Sequence, residues 1–168
     1  MTVRRHPMIM GDARFASRFL SNRWDLIAGE VIGTFVRLPS RHLSQGRIGA
    51  VPVEMRPEGW GTVVFLEDGR ELGRIVRRSW WGRRWEISGS GYGFDLVSEP
   101  RPRRWSLRVG AFPVATISGT PWSYNRLTVR ADVSLPAWAL ALAWQVVARP
   151  WEAAAEPRSL RAVARLVV

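Results

Sequence analysis

Leu135-Pro136-Ala137-Trp138-Ala139-Leu140-Ala141-Leu142-Ala143-Trp144-Gln145-Val146-Val147-Ala148 is the run whose reading decides the fold. Asp132 and Ser134 lead into it, Pro136 stands near its first turn, and Pro150 lies just past its end, the usual punctuation of a helix near residues 135–149. Gln145 is its one interior polar group, so no side of the helix suits water and protein must surround it. The apolar stretch is interrupted by Ser134, Pro136 and Gln145 and is shorter than the roughly 20 residues a bilayer span needs, so a membrane span is not expected.

What surrounds the helix is written in the segments before it. From Val31 onward, short runs rich in Val, Ile, Phe and Trp are punctuated by Gly, Pro, Asn and Asp, the pattern of strands joined by turns. The clearest hairpin runs from 60 to 66, turns at Asp68-Gly69, which suits the positive φ of a type I′ turn, and returns through 72–76. Apolar residues then alternate with polar ones: Trp85 and Ile87; Tyr92, Phe94 and Leu96; Trp105, Leu107 and Val109; Leu127, Val129, Ala131 and Val133. Period-two alternation predicts antiparallel strands with one buried and one wet face. A sheet with one wet face surrounds an all-apolar helix only by curling. The expected fold is therefore mostly β, an antiparallel closed or nearly closed barrel around a central apolar helix, and closure also removes exposed strand edges.

The flanks are read differently. Residues 1–12 are expected as a loose tail. Residues 13–28 place Ala16, Phe19, Leu20, Trp24 and Ile27 at helical spacing, which predicts a short amphipathic helix packed on the domain or lying in a membrane interface. Residues 157–168 fit a final strand or a short helix. With 168 residues, one domain over 13–168 is expected.

Several runs resemble the tubby C-terminal-like superfamily, which includes tubby proteins, plant LURP-one-related proteins and phospholipid scramblases. They are Gly69-Arg-Glu-Leu-Gly-Arg-Ile, Arg84-Trp-Glu-Ile, Arg104-Trp-Ser-Leu, Gly110-Ala-Phe-Pro-Val-Ala-Thr-Ile, and Asp132-Val-Ser-Leu-Pro leading into the helix. The resemblance covers about residues 60–150 and implies a β-barrel with a hydrophobic helix through its centre. Family members include phosphoinositide-binding proteins and others with no settled activity. Catalysis is not what the resemblance implies, and it carries no binding residue onto a particular position.

Composition narrows the chemistry. The chain has no cysteine, which excludes disulfides, thiolate nucleophiles and cysteine-ligated metals. His6 and His42 are its only histidines and stand too far apart for a metal motif at helical spacing, so neither metal nor cofactor is expected. His42, between Ser40 and Ser44, has no nucleophile elbow to serve, and a non-enzymatic protein is expected. Gly89-Ser90-Gly91-Tyr92-Gly93 reads as a hairpin turn because no helix follows to present its N-terminus to a phosphate. Glu67, Asp68 and Glu71 read as a solvated turn. Arg4 and Arg5 precede no apolar h-region, so no signal peptide is expected, and a cytoplasmic protein, free or peripheral to a membrane, fits best.

A net charge of +11 and a pI near 11.7, carried entirely by arginine without lysine, predict attraction to anionic partners. The densest group is Arg74, Arg77, Arg78, Arg83 and Arg84 around Trp80 and Trp81, and Arg101, Arg103, Arg104 and Arg108 follow in the next loop and strand. If the Trp pair is exposed, it can enter a lipid interface or stack on bases while the arginines hold phosphates. If it folds back onto a barrel rim, the arginines are a solvated face. Three roles follow in order: association with anionic phospholipid headgroups, single-stranded nucleic-acid binding by the same patch, or a structural or protein-interaction role with no small ligand.

Overall fold

A computed structural model describes residues 6–18, 21–38, 42–101, 103–119 and 125–148. Twelve antiparallel strands close into one barrel in sequence order: β1 (Met8–Ser17), β2 (Arg23–Ala28), β3 (Glu30–Leu38), β4 (Leu43–Ile48), β5 (Val51–Pro57), β6 (Thr62–Glu67), β7 (Arg70–Arg77), β8 (Arg84–Gly89), β9 (Tyr92–Ser98), β10 (Arg104–Val109), β11 (Phe112–Ser118) and β12 (Arg126–Pro136). Pairing of β1 with β12, from Met8↔Pro136 to Ala16↔Arg126, closes the ring. The helix α1 (Ala137–Val147) follows β12 directly, and every one of its residues is buried.

Two expectations at the N-terminus are corrected. The amphipathic helix over 13–28 is instead the end of β1, a connection, and β2, and the segment read as a loose tail contributes Met8 to Asp12 to β1. The helical stripe had to draw on Phe19 and Leu20, which lie outside the described residues. The competing period of two is the one that folds: Ile9, Ala13 and Phe15 on β1 and Trp24 and Leu26 on β2 all face the core. Closing the ring requires these strands, and tertiary pairing overrides a weak helical pattern. The 157–168 segment also lies outside the described residues.

Strand alternation sorts the connections between the two ends of the barrel. One end carries tight turns: Gly29, Gly49-Ala50, Asp68-Gly69, Ser90-Gly91 and Gly110-Ala111. Asp68 (φ 51°) and Gly69 (φ 78°) have the paired positive φ of the type I′ turn the sequence predicts there, and Ser90 (47°) and Gly91 (81°) make the predicted hairpin turn with the same pairing. The other end carries the longer loops, including 58–61, 78–83 and 99–103.

The helix enters at the tight-turn end, where the Ala137 amide donates to the Pro7 carbonyl (2.9 Å). Trp138 lies there between Phe65 (ring centroids 6.5 Å apart) and Tyr92 (6.4 Å). Eleven residues at 1.5 Å each carry the axis about 16 Å up the barrel. Near the long-loop end Trp144 packs against Phe15, Phe35 and Trp24. Side chains thus fill the interior. A cavity of about 40 Å³ under the helix start is lined by His6, Pro7, Ile48, Val51, Glu67, Ala137 and Trp138 and is large enough to admit water.

The polar residue in the helix is its anchor. The Gln145 Oε1 accepts from the Ser44 hydroxyl (2.6 Å), its Nε2 donates to the His42 carbonyl (3.3 Å), and its backbone carbonyl accepts from the buried Arg37 guanidinium (2.7 Å). That carbonyl belongs to the last helical turn, where intrahelical donors run out, and a cation there also opposes the negative end of the helix dipole. Replacing Gln145 by leucine should cost about 1–3 kcal/mol, because the buried Ser44 hydroxyl loses its acceptor. The expected reading is a lower urea midpoint with an unchanged slope.

The barrel is polar outside and apolar inside: on β12, Arg126, Thr128 and Arg130 are exposed while Leu127, Val129 and Ala131 are buried. A barrel that spans a bilayer has the reverse pattern. No described helix is long and apolar enough to cross a membrane.

Candidate basic and aromatic surface

Three tryptophans stand out at the long-loop end. Trp60 in the 58–61 loop is 73% exposed, and Trp80 and Trp81 in the 78–83 loop are 76% and 81% exposed. The Trp-Trp pair does not fold back onto the rim. The two loops are neighbours because β6 pairs with β7, and the Trp60 and Trp80 ring centroids are 6.2 Å apart. Sequence reasoning placed Trp60 in a strand and so missed the third member. Its flanking glycines, Gly59 (φ 68°) and Gly61 (φ 76°), were the available signal, since such a pair breaks a strand. The other tryptophans read as core behave as expected: Trp85, Trp138 and Trp144 are buried, and Trp105 packs half-buried against the core; Trp24, read on a helical stripe, is buried on β2.

The 78–83 loop is held by its own polar groups. The Ser79 hydroxyl accepts from the amides of Arg83 and Arg84 (both 2.9 Å), the Gly82 amide donates to the Ser79 carbonyl (3.1 Å), and the Trp85 indole donates to the Gly82 carbonyl (2.8 Å). Gly82 (φ 66°) makes the turn possible.

The arginines divide into three groups. Arg83 and Arg101 are exposed and have no side-chain partner among the described residues. Their loops adjoin, since the Ser98 amide at the start of the 99–103 connection donates to the Arg83 carbonyl (2.8 Å). Arg78, Arg84 and Arg104 are at the same end but meet carboxylates: Arg78 with Glu86 (3.0 Å), Arg84 with Asp95 (3.6 Å) and Arg104 with Glu99 (2.8 Å). Exposed pairs of this kind are worth about 0–1 kcal/mol, so a phosphate can compete for them. Arg103 takes a left-handed conformation (φ 57°) in the 99–103 loop.

Two of the predicted residues stand apart from the rim. Arg74 lies lower on the outer wall, bidentate to Glu71 (2.6 and 2.8 Å) with Glu58 at 3.9 Å, and Arg108 lies toward the tight-turn end, donating to the Ser106 hydroxyl (2.9 Å). The hydrogen bond from Arg74 holds the Glu71 carboxyl below its ordinary value, while the same bond raises Arg74. A depressed carboxyl stabilises the fold fully above its unfolded pKa and loses that contribution as pH falls through the folded one. Glu71 therefore belongs to this ion pair, while the Glu67 carboxylate lies 2.9 Å from the His6 imidazole, so two of the three carboxylates read as a solvated turn have side-chain partners.

No group of three or more His, Asp or Glu side chains among the described residues is arranged to hold a metal ion. No protein-family model, curated protein or solved structure matches the chain. The chemistry of the surface is accordingly read from its own geometry: indole rings presented outward on two adjoining loops, with guanidinium groups around them.

Proposed function

We propose that the long-loop end docks the protein on a membrane surface rich in anionic phospholipid headgroups, with Trp60, Trp80 and Trp81 in the interfacial layer and Arg78, Arg83, Arg84, Arg101, Arg103 and Arg104 facing phosphates. The observation that carries this is the exposure of three large indole rings together at one end of the barrel. Exposed aromatic surface of this extent marks an interaction site, and indole, apolar in body with one polar N–H, favours the lipid–water boundary. The tubby-like superfamily that the sequence resembles is itself built as a barrel around a hydrophobic helix, and some of its members bind phosphoinositides.

Single-stranded nucleic acid is the second reading, because the same indoles could stack on bases. The lipid reading is preferred because the rings cluster at the tips of two loops, where a planar surface reaches all three at once. Stacking platforms for a strand are spaced along a charged groove.

Flotation with vesicles separates the readings. At near-physiological salt, the protein should float with vesicles containing anionic lipid, remain unbound with neutral vesicles, and keep its vesicle binding in the presence of a single-stranded oligonucleotide. Combining Arg78→Glu, Arg83→Glu and Arg101→Glu should weaken binding by at least roughly a hundredfold, at on the order of 1 kcal/mol for each arginine lost near an anionic surface, with repulsion of the new carboxylates adding to it. Displacement by the oligonucleotide would favour nucleic acid. Binding to neither, with the triple variant unchanged, would leave a structural or protein-interaction role.

A further inference from the structure

Arg77 was grouped by sequence with the anion ligands, but its geometry gives it different work. Its guanidinium sits over the Trp60 ring (4.9 Å to the centroid), its Nε donates to the Ser79 carbonyl (2.9 Å), and an Nη donates to the Trp80 carbonyl. Its backbone amide donates to the Gly61 carbonyl (2.7 Å). A Cβ on Gly61 would come within 3.1 Å of the Arg77 Cβ, and one on Gly82 within 3.4 Å of the guanidinium, so the side chain threads between a glycine of each loop. A planar guanidinium can donate along its edge to two carbonyls and stack its face on an indole at once, which a lysine ammonium cannot do.

We propose that Arg77 is a positioning residue that locks the 58–61 and 78–83 loops into one preformed wedge and occupies the Ser79 and Trp80 carbonyls, so that the loop carrying Trp80 and Trp81 enters the lipid interface with several of its backbone groups already hydrogen-bonded. This rests on the lipid-surface reading above. Its physical basis is that backbone groups taken out of water without a partner oppose insertion. In the 78–83 loop the carbonyls of Ser79, Trp80 and Gly82 and the amides of Gly82 and Arg83 all have intramolecular partners. Ordering the loop beforehand also removes an entropic cost from binding.

The test compares Arg77→Lys and Arg77→Met with Arg83→Glu in two measurements on the full chain. The first uses no lipid: the near-ultraviolet circular-dichroism difference between wild type and Trp60→Phe reports the Trp60–Trp80 arrangement. It should vanish when measured in the Arg77→Lys background, with the far-ultraviolet spectrum unchanged. The second is flotation with anionic vesicles over a range of salt. Arg77→Lys, which keeps the charge, should bind roughly tenfold more weakly, about one hydrogen bond's worth, by the same factor at low and high salt. The loss in Arg83→Glu should shrink as salt rises. Arg77→Met should show the tenfold, salt-independent loss plus a salt-dependent part. A difference spectrum that persists in Arg77→Lys, or vesicle binding by Arg77→Lys equal to wild type, would overturn the proposal. If wild type does not bind vesicles, the lipid reading fails and takes this role with it. The lipid-free spectrum then separates that failure from one in the loop geometry.

Discussion

Replacing Trp144 by alanine is expected to lower the unfolding free energy by about 3–5 kcal/mol, the range for truncating a large aromatic in a rigid core. The indole is fully buried where the helix meets the barrel wall. It stacks on Phe15 (5.6 Å, 11° between planes) and Phe35 (5.3 Å, 29°), meets Trp24 edge-on (5.7 Å, 60°), and carries the Arg37 guanidinium over its face (5.3 Å). These contacts come from β1, β2 and β3, the strands beside the β1–β12 seam that closes the ring. The surrounding backbone is tied on both sides by strand pairing, so it cannot collapse into the void. Against a total stability of about 5–15 kcal/mol for a domain, the loss is large. Differential scanning calorimetry should show a melting temperature lower by roughly 6–20 °C, at about 2–4 °C per kcal/mol for a chain of this length. Trp144→Phe, which retains the stacking, should cost less than half as much.

The second large effect is expected at Gly73. A Cβ built there falls onto the Trp138 ring, within 2.9 Å of its Cε3, and also lies 2.9 Å from the Ser88 carbonyl oxygen of β8. The β7 backbone cannot retreat, because β6 and β8 pair with it on both sides. The ring is itself flanked by Phe65 and Tyr92, which limit its retreat. Gly73→Ala should therefore cost about 3 kcal/mol, the upper part of the usual range for overpacking, despite adding a single methyl group. Trp138→Leu in the same chain removes the ring atoms in conflict. The double variant should then be more stable than the sum of the two single effects by about 1–3 kcal/mol, the coupling expected of residues in direct contact. Additive losses in urea titrations would show that Gly73 is chosen for some reason other than the indole.

The helix and the strand alternation were legible because both are one-dimensional patterns: an apolar run with a single glutamine, and arginines alternating with core residues on β12. From these the barrel around a helix follows by burial alone. The N-terminal strands were not legible, because β2 is only six residues long and a 16-residue window across the β1–β2 connection mimics a helical stripe. Trp80 and Trp81 were legible as a candidate surface, although the choice between exposure and folding back depends on loop conformation. Trp60 joins them only through the β6–β7 pairing, a contact between loops distant in sequence. The roles of the arginines were the least readable. Arg77 and Arg78 are adjacent in sequence, yet one clamps two loops while the other meets Glu86 on the neighbouring strand. Arg37 escaped notice because its partners, Gln145 and Trp144, lie more than 100 positions further along the chain. The inward alternation of Gly33, Phe35 and Arg37 was the one sequence trace of it.

The membrane-facing role of the tryptophan end is tested most directly by fluorescence quenching with lipids brominated along their acyl chains, incorporated into anionic vesicles. Trp24, Trp138 and Trp144 are 2%, 1% and 0% exposed and give an internal reference that quencher in the bilayer cannot reach, whereas Trp60, Trp80 and Trp81 are the most exposed tryptophans among the described residues. Emission of wild type should be quenched in part on adding brominated anionic vesicles, and a variant carrying Trp60→Phe, Trp80→Phe and Trp81→Phe should lose that component. Vesicle-bound wild type whose emission is not quenched, or quenching equal in the triple variant, would contradict insertion of this end into the interface.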